Sequence, residues 1–369
     1  MYHTIMIHTT NACNMNCPYC YVHQRPAGEI TVDDVKAQLP YAHRLSALMD
    51  PEFVNHQEYA VDYFGGEPLL NFDTILELHD QLFSRGVLRV TSEHVQTNAL
   101  LMTREKLDEL NKRRIHMSYS FDGLWDPPES IAVHEQLLAE GVLQPDMAKV
   151  MVAPEHAGDL LENYAYFVDK LGWTLPDYTF VRDDIWSSAD VDTAKVQLHL
   201  LVDDMVARTK ASKDGKCYCV GCISLPINDM VCGKMRGKRS FTCHAGRYGM
   251  VFTHDRKIYP CTRFYTNDKC MLADVNTGEV YEDTIRRLAQ LFNTHVVEEC
   301  VNCKIRQFCN TGCAYSQYMN GNEERMKPIA SVCELTKACY TEALRYAKLL
   351  EDTQAFRNFL AHMGLRYGL

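Results

Sequence analysis

Cysteines 13, 17 and 20 stand in the segment Cys13-Asn14-Met15-Asn16-Cys17-Pro18-Tyr19-Cys20, a C-x3-C-x2-C spacing with an aromatic residue before the last thiol. A [4Fe-4S] cube has four irons, and each normally takes one thiolate. Three thiolates leave one iron open to a small molecule, whereas four would make a site suited mainly to carrying electrons. The competing reading is a structural zinc loop or buried free thiols. Zinc sites usually pair cysteines as C-x2-C with a second, distant pair, and this segment does not offer that arrangement. A second cysteine field begins near residue 217 and contains the run Cys300-x2-Cys303-x5-Cys309-x3-Cys313, with Cys243 and Cys261 before it and Cys333 after it.

These thiols need elements to position them, and the hydrophobic pattern supplies a regular series. Residues 3–9 read as a strand that ends at the first cysteine loop. Thr31 is placed to cap a helix bearing Val35, Leu39, Ala42, Leu45 and Leu48, which Pro40 would kink or split. Tyr59, Val61 and Tyr63 alternate as a strand and run directly into Gly65-Gly66-Glu67-Pro68. Helices are predicted near 72–85, 129–140, 158–171 and 189–208, with a further helix through Leu107 and Leu110. Strands are predicted near 88–96, before Ser120, at 150–152 and at 178–181. About six β/α units imply a parallel sheet wound as a barrel or partial barrel, whose sites lie at the C-terminal ends of the strands.

Composition limits the remaining possibilities. The chain has 369 residues, 46% hydrophobic and 23% charged, enough for two domains with a sizeable core. The net charge is −10 and no basic block points to nucleic acid. Sixteen cysteines without a secretion signal read as metal ligation in a reducing cytoplasm, not as disulfides. No apolar run approaches the length of a membrane span. The fifteen histidines lack H-x3-H or H-E-x2-H spacing and read as ordinary surface or core residues.

Cys13, Cys17 and Cys20 followed one strand later by Gly65-Gly66-Glu67-Pro68 resemble the radical SAM superfamily. That resemblance implies that the open iron chelates S-adenosylmethionine, and that an electron cleaves it to methionine and a 5′-deoxyadenosyl radical. It places the backbone beside Tyr19 against adenine. Gly65, Gly66, Glu67 and Pro68 would hold the cofactor's amino group, Gln96 and Asn98 the ribose region, and Ser120 the neighbourhood of the carboxylate. Many relatives carry an arginine after that last strand. Here Trp125-Asp126-Pro127-Pro128 stands in its place; Arg182, at the end of the sixth strand, is either a candidate partner for the carboxylate or a surface arginine.

The second cysteine field resembles the SPASM domain, matching the C-x2-C-x5-C-x3-C run at every spacing. The resemblance assigns Cys243, Cys261 and Cys313 to auxiliary cluster I and Cys300, Cys303, Cys309 and Cys333 to auxiliary cluster II, three [4Fe-4S] clusters in all. The fourth ligand of cluster I is Cys232, one of Cys217, Cys219 and Cys222, or an open position. Cys270 and Cys339 read as spare buried thiols. Relatives usually have glycine where this chain has Arg256.

The expected division is a partial (β/α)6 barrel over 1–209, a bridging cysteine-containing segment over 210–242, read as a loop or bridge, a SPASM domain over 243–340 and a C-terminal helix over 341–369. The expected reaction is hydrogen abstraction from a peptide or protein side chain, giving a thioether or C–C cross-link in a ribosomally made peptide. Other readings are an anaerobic sulfatase-maturase-type dehydrogenase, a non-peptide substrate, and an electron-transfer or binding protein. Thr262-Arg263 stands where maturases place an aspartate base, which weighs against the dehydrogenase. Expected partners are a peptide or protein substrate and a flavodoxin- or ferredoxin-type electron donor; since the first strand begins at residue 3, leader binding would come from a separate protein or from the barrel surface, or would not be needed.

Overall fold

A computed structural model describes residues 3–367, apart from 23–24, 26, 51–52, 54–56, 146–147, 237–242, 244, 293–296 and 310–311; the side chains of 231–236 and 362–367 also lie outside the described residues. The chain forms two compact units, Met1–Ser120 with Cys243–Asn293, and Phe121–Thr242 with Thr294–Leu369.

The first unit is built on parallel strands β1 (His3–His8), β2 (Glu58–Phe64), β3 (Arg89–Thr97) and β4 (Ile115–Ser120), hydrogen-bonded in that order. On the other side of β1 lies parallel β7 (Gly249–Phe252), followed by antiparallel β8 (Lys257–Tyr259), β9 (Ala273–Asp274) and β10 (Glu279–Val280). Buried Ile5, Ile7, Val61, Tyr63, Val95 and Tyr119 fill the strands. Burial of each such side chain contributes roughly 1.5–3 kcal/mol. Parallel strands share one direction, so the segments that leave β1, β2, β3 and β4 emerge at one rim of this sheet.

Helix α1 (Val32–Met49) packs on the sheet and runs through Pro40 as one helix, so of the kink or split expected there the split does not occur. Thr31 caps it through a reciprocal box with Asp34. Further along the first unit come α2 (Phe72–Leu78), α3 (Arg104–Lys112) and, after β10, α8 (Glu282–Leu291).

The second unit holds parallel strands β5 (Ala148–Val152) and β6 (Asp177–Phe180). Its helices are α4 (Pro128–Ala139), α5 (Leu160–Ala165), α6 (Ser188–Ala211), α7 (Gly221–Arg236), α9 (Ala314–Asn320), α10 (Ala330–Leu350) and α11 (Gln354–Tyr367). Helices α6 and α7 both pack against α10. The sequence reads 210–242 as a loop or bridging segment, and within it Gly221–Arg236 is helix, not loop. Glycine and lysine in that stretch suggested irregular backbone, but Val220, Ile223 and Ile227 are buried along one side and anchor a helix. The boundary expected at 340 falls within α10.

Arg256 turns the β7–β8 hairpin with a φ of 58°, the left-handed conformation that glycine adopts without cost. The strain is offset because its guanidinium Nε lies 2.8 Å from Asp34 Oδ1, tying the hairpin to the start of α1. Burial works against the Asp34 carboxylate, but bonds from Thr31 and Arg256 outweigh it and hold its pKa below the usual value. Arg256→Ala should lose the pair and keep the strain. Arg256→Gly should lose the pair and relieve the strain, so urea unfolding is predicted to find the glycine variant more stable than the alanine variant by about 1 kcal/mol. Equal stabilities would contradict this account of the turn.

Candidate active site

The loop carrying Cys13, Cys17 and Cys20 leaves the end of β1 and is held from below by the end of β2. The Gly66 N–H donates to Thr10 O at 2.7 Å and the Glu67 N–H to Ala12 O at 2.8 Å. This approach requires the glycines. A Cβ on Gly66 would lie 2.1 Å from Ala12 O, and one on Gly65 would lie 2.5 Å from Thr10 O.

Glu67 is fully buried, and its carboxylate joins β2 to β3. Oε1 accepts from Leu69 N at 2.9 Å and from Thr97 Oγ1 at 2.6 Å, while Oε2 accepts from Asn98 N at 2.7 Å. Burial nonetheless pushes its pKa up, against those bonds. Three of roughly four acceptor directions are thus used inside the protein. Pro68, buried, starts the short 3-10 turn Pro68–Asn71 that Glu67 caps.

The expected ribose-contacting residues have defined partners as well. Asn98 Nδ2 donates to Asn14 Oδ1 at 2.7 Å and approaches Cys13 Sγ at 3.9 Å, and Asn98 Oδ1 accepts from Leu100 N. Its amide therefore orients the cysteine loop. Gln96 spans to β4, donating to Ser120 Oγ at 3.3 Å and accepting from Ser118 Oγ. Tyr19 lies on the cysteine loop, between Cys17 and Cys20. Gly65, Gly66, Glu67, Pro68, Gln96, Asn98 and Ser120 all lie at or just beyond the C-terminal ends of adjacent parallel strands.

The three loop thiols are partly exposed. Backbone N–H groups point at two of them, Met15 N at Cys13 Sγ and Val22 N at Cys20 Sγ, each at 3.4 Å. Burial pushes the Cys13 thiol up, the Met15 N–H pulls it down, and Glu67 and Cys20 raise it further. Among the described residues no three His, Cys, Asp or Glu side chains converge on a single metal ion. A cube spreads its thiolates over separate corners, farther apart than the ligands of one tetrahedral ion. Soft donors, N–H groups aimed at sulfur and a glycine cradle beneath the loop fit an iron–sulfur cube.

In the second unit Cys300, Cys303, Cys309, Cys313 and Cys333 line one cavity together with Arg182. Burial, then Cys333, Cys309 and Cys303, push Cys300 up to about 11. Thiols crowded this way become thiolates most readily on a metal. Arg182 is exposed at the rim of this cavity. Cys243 is exposed and Cys261 half-buried in the first unit, to which Cys313 does not belong. The side chain of Cys232, on α7, lies outside the described residues. Cys217, Cys219 and Cys222 sit in the second unit with partners of their own. Cys217 Sγ is 3.0 Å from Tyr346 Oη, Cys219 is fully buried, and Cys222 is hydrogen-bonded to Cys339. Cys270 and Cys339 are buried. Trp125, where relatives carry arginine, stacks on His156 with ring centres 4.7 Å apart.

Sequence reasoning missed a cluster around the first cysteine loop. Thr262 is buried, and its hydroxyl lies 3.0 Å from that of Tyr21. Burial, more than any bond, pushes Tyr21 up to about 12. Arg25, His8 and Tyr265 adjoin the same pair. Thr262 stands at a motif position but was legible there only as the loss of an acid; Arg25, His8 and Tyr265 stand at none, so no spacing could have found those three.

Residues 7–136 match the family described as the Radical SAM superfamily, and the chain carries a radical SAM domain, the catalytic domain of that class of enzyme. That domain implies S-adenosylmethionine and a [4Fe-4S] cluster. Two curated relatives match part of the chain. An uncharacterized protein of Methanocaldococcus jannaschii is 27% identical over 32% of this chain and 38% of its own length. The radical SAM cyclopropyl synthase TigE of Paramaledivibacter caminithermalis is 26% identical over 32% of this chain and 26% of its own. The match therefore spans well under half of either relative. Among solved structures, native anSMEcpe with bound AdoMet is 17% identical, with a TM-score of 0.66 over 94% of this chain and 98% of that one. Streptococcus suis SuiB bound to S-adenosylmethionine is 14% identical, with a TM-score of 0.52 over 90% and 75%. The fold is thus that of these AdoMet-bound proteins along nearly the whole chain. Among the described residues no helix is long and apolar enough to cross a membrane.

Gly66→Ala tests the cradle. The new methyl must displace the Ala12 carbonyl, at a cost of about 1–3 kcal/mol. Iron analysis after anaerobic reconstitution should show this variant holding less iron than the unmodified protein by the equivalent of one cube. Unchanged iron content would contradict the packing described.

Proposed function

We propose that this chain is a radical S-adenosylmethionine enzyme that removes hydrogen from a peptide or protein side chain and forms a thioether or C–C cross-link in a ribosomally made peptide. The observation that carries the reading is the loop of Cys13, Cys17 and Cys20 fixed at the rim of parallel strands on Gly66 and Glu67. With cluster and cofactor bound, reductive cleavage of AdoMet supplies a 5′-deoxyadenosyl radical. The chain's own residues have positioning roles. Glu67, Asn98 and Asn14 hold the loop, and Gln96 with Ser120 presents a polar strip beside it. Tyr19, Gly65, Gly66, Glu67, Pro68, Gln96, Asn98 and Ser120 are assigned to the cofactor's site. Holding a C–H bond close to the reactive carbon and excluding water is the larger part of what the protein supplies.

Three clusters belong to this reading, with Cys13/Cys17/Cys20 on the first, Cys243, Cys261 and Cys313 on auxiliary cluster I, and Cys300/Cys303/Cys309/Cys333 on auxiliary cluster II. So do a barrel over 1–209, a bridge over 210–242 and an auxiliary domain over 243–340. A low-potential flavodoxin- or ferredoxin-type donor, a separate leader-binding protein and a cytoplasmic location complete it. Support for a peptide substrate comes from anSMEcpe, solved with AdoMet and the Cp18Cys peptide and 18% identical at a TM-score of 0.65. The same likeness favours a second reading, a dehydrogenase of the anaerobic sulfatase-maturase type. Against it, Thr262 offers a hydroxyl already bonded to Tyr21 where that chemistry needs a base within reach of its proton.

Reduced, reconstituted protein is predicted to release 5′-deoxyadenosine from AdoMet, and Cys17→Ala to abolish it. Mass spectrometry of a short peptide encoded beside this gene should show loss of two hydrogens without loss of a side chain. A sulfatase-derived Cys peptide should yield no hydrazine-trappable aldehyde. Aldehyde on that peptide would replace the first reading with the second, and absence of 5′-deoxyadenosine would end both.

A further inference from the structure

Arg25 lies five residues beyond Cys20 and belongs to no motif. Its guanidinium is enclosed within the first unit. One terminal nitrogen donates to the backbone carbonyl of Thr262, and the other lies 3.3 Å from His8 Nδ1. Its carbon sits 4.8 Å from the ring centre of Tyr265 and 5.3 Å from that of Tyr21, within cation–π range. His8 Nε2 is 2.6 Å from Asn11 Oδ1, so the proton belongs on Nε2 and leaves Nδ1 as an acceptor facing Arg25. Burial first, and Arg25 second, push His8 down to about 3, so the imidazole adds no positive charge beside the guanidinium.

The partners share a pattern. Tyr21 directly follows Cys20, and Thr262 directly follows Cys261. Arg25 therefore grips the residue after a thiol of the first cluster loop and the residue after a thiol of the second cysteine field. The Tyr21–Thr262 hydroxyl pair closes the same ring. No carboxylate among the described residues forms an ion pair with Arg25. A half-buried guanidinium without a counter-charge is costly. Burial lowers the Arg25 pKa, and the groups that favour its charge are Tyr21, Tyr265, Cys261 and Cys20. Tyr21 and Thr262 are the neighbours of Cys20 and Cys261, and the clusters bound by those two cysteines would carry the negative charge that faces Arg25.

We propose that Arg25 is a positioning residue that straps the Cys20 loop to the Cys261 loop and supplies the positive charge that balances the thiolates of both clusters, raising their reduction potentials. The proposal deepens the function above and rests on its assignment of Cys20 and Cys261 as cluster ligands. A neighbouring cation favours the reduced, more negative cluster, so an external low-potential one-electron donor can load it at a less extreme potential. Each cluster takes one electron from that donor, and no protein bond forms or breaks.

The test is an EPR-monitored redox titration of the full-length, anaerobically reconstituted protein, with dithionite as reductant and iron content measured in parallel. Arg25→Gln should lower the midpoint of at least one cluster by a tenfold change in the reduced-to-oxidised ratio, 59 mV for a one-electron couple. Arg25→Lys restores the charge and should return the midpoint to within a few-fold of the unmodified protein. Tyr21→Phe keeps the stacking ring and should leave the midpoints unchanged. Arg25→Gln with full iron and unchanged midpoints would overturn the proposal. So would Arg25→Lys behaving like Arg25→Gln in midpoint or in iron loss, since charge would then not be the operative property. A protein with no AdoMet-responsive cluster before any substitution would instead overturn the functional reading itself.

Discussion

The site depends on two backbone hydrogen bonds, from the Gly66 and Glu67 N–H groups to the Thr10 and Ala12 carbonyls. A cysteine loop leaving a strand has no rigidity of its own. These bonds turn it into an extension of the sheet, because β2 ends where the loop begins. The Glu67 carboxylate then carries that order sideways to β3, and Asn98 returns it to Asn14 and Cys13. Gln96 passes it on to β4 through Ser118 and Ser120. The residues read as cofactor contacts thus form a connected scaffold under the thiols, and their placement follows from parallel pairing.

Much of this was legible in the sequence because it follows from spacing and period. The strand at Tyr59–Tyr63, the glycines after it and the capped helix beginning past Thr31 all appear where the patterns put them. The π-helical turns His79–Phe83 and Tyr166–Lys170 lie inside stretches read as plain helix, which periodicity cannot distinguish. Helix α7 escaped because Gly221, Pro226 and Gly233 weaken its intrinsic propensity, and burial of Ile223 and Ile227 overrides that. Arg256 shows the same limit from the other side. Its residue type argued against a tight turn, and only the contact with Asp34, distant in sequence, explains how a left-handed arginine is tolerated.

The chemistry that sequence motifs do not reach lies in residues joined through space. Thr262 could be seen as a departure from an acidic position, but not as the partner of Tyr21. Arg25 carried no signal at all. Both connect the cysteine loop at the end of β1 to the segment that follows β8. Charge and hydrogen bonding around sulfur tune the reduction potential of an iron–sulfur cluster, so such connections bear on the chemistry of the loop. The four thiols of Cys300, Cys303, Cys309 and Cys333 are gathered by a different means, around one cavity within the second unit.

The central claim is that Cys13, Cys17 and Cys20 leave one iron open to S-adenosylmethionine. Electron–nuclear double resonance of the reduced protein, with AdoMet labelled by ¹⁵N at the methionine amine and ¹⁷O at its carboxylate, tests it most directly. The account predicts hyperfine coupling from both labels to one reduced cluster, and loss of that coupling in a Cys13→Ala, Cys17→Ala, Cys20→Ala variant. Undisturbed cluster spectra with no coupling from either label would contradict it.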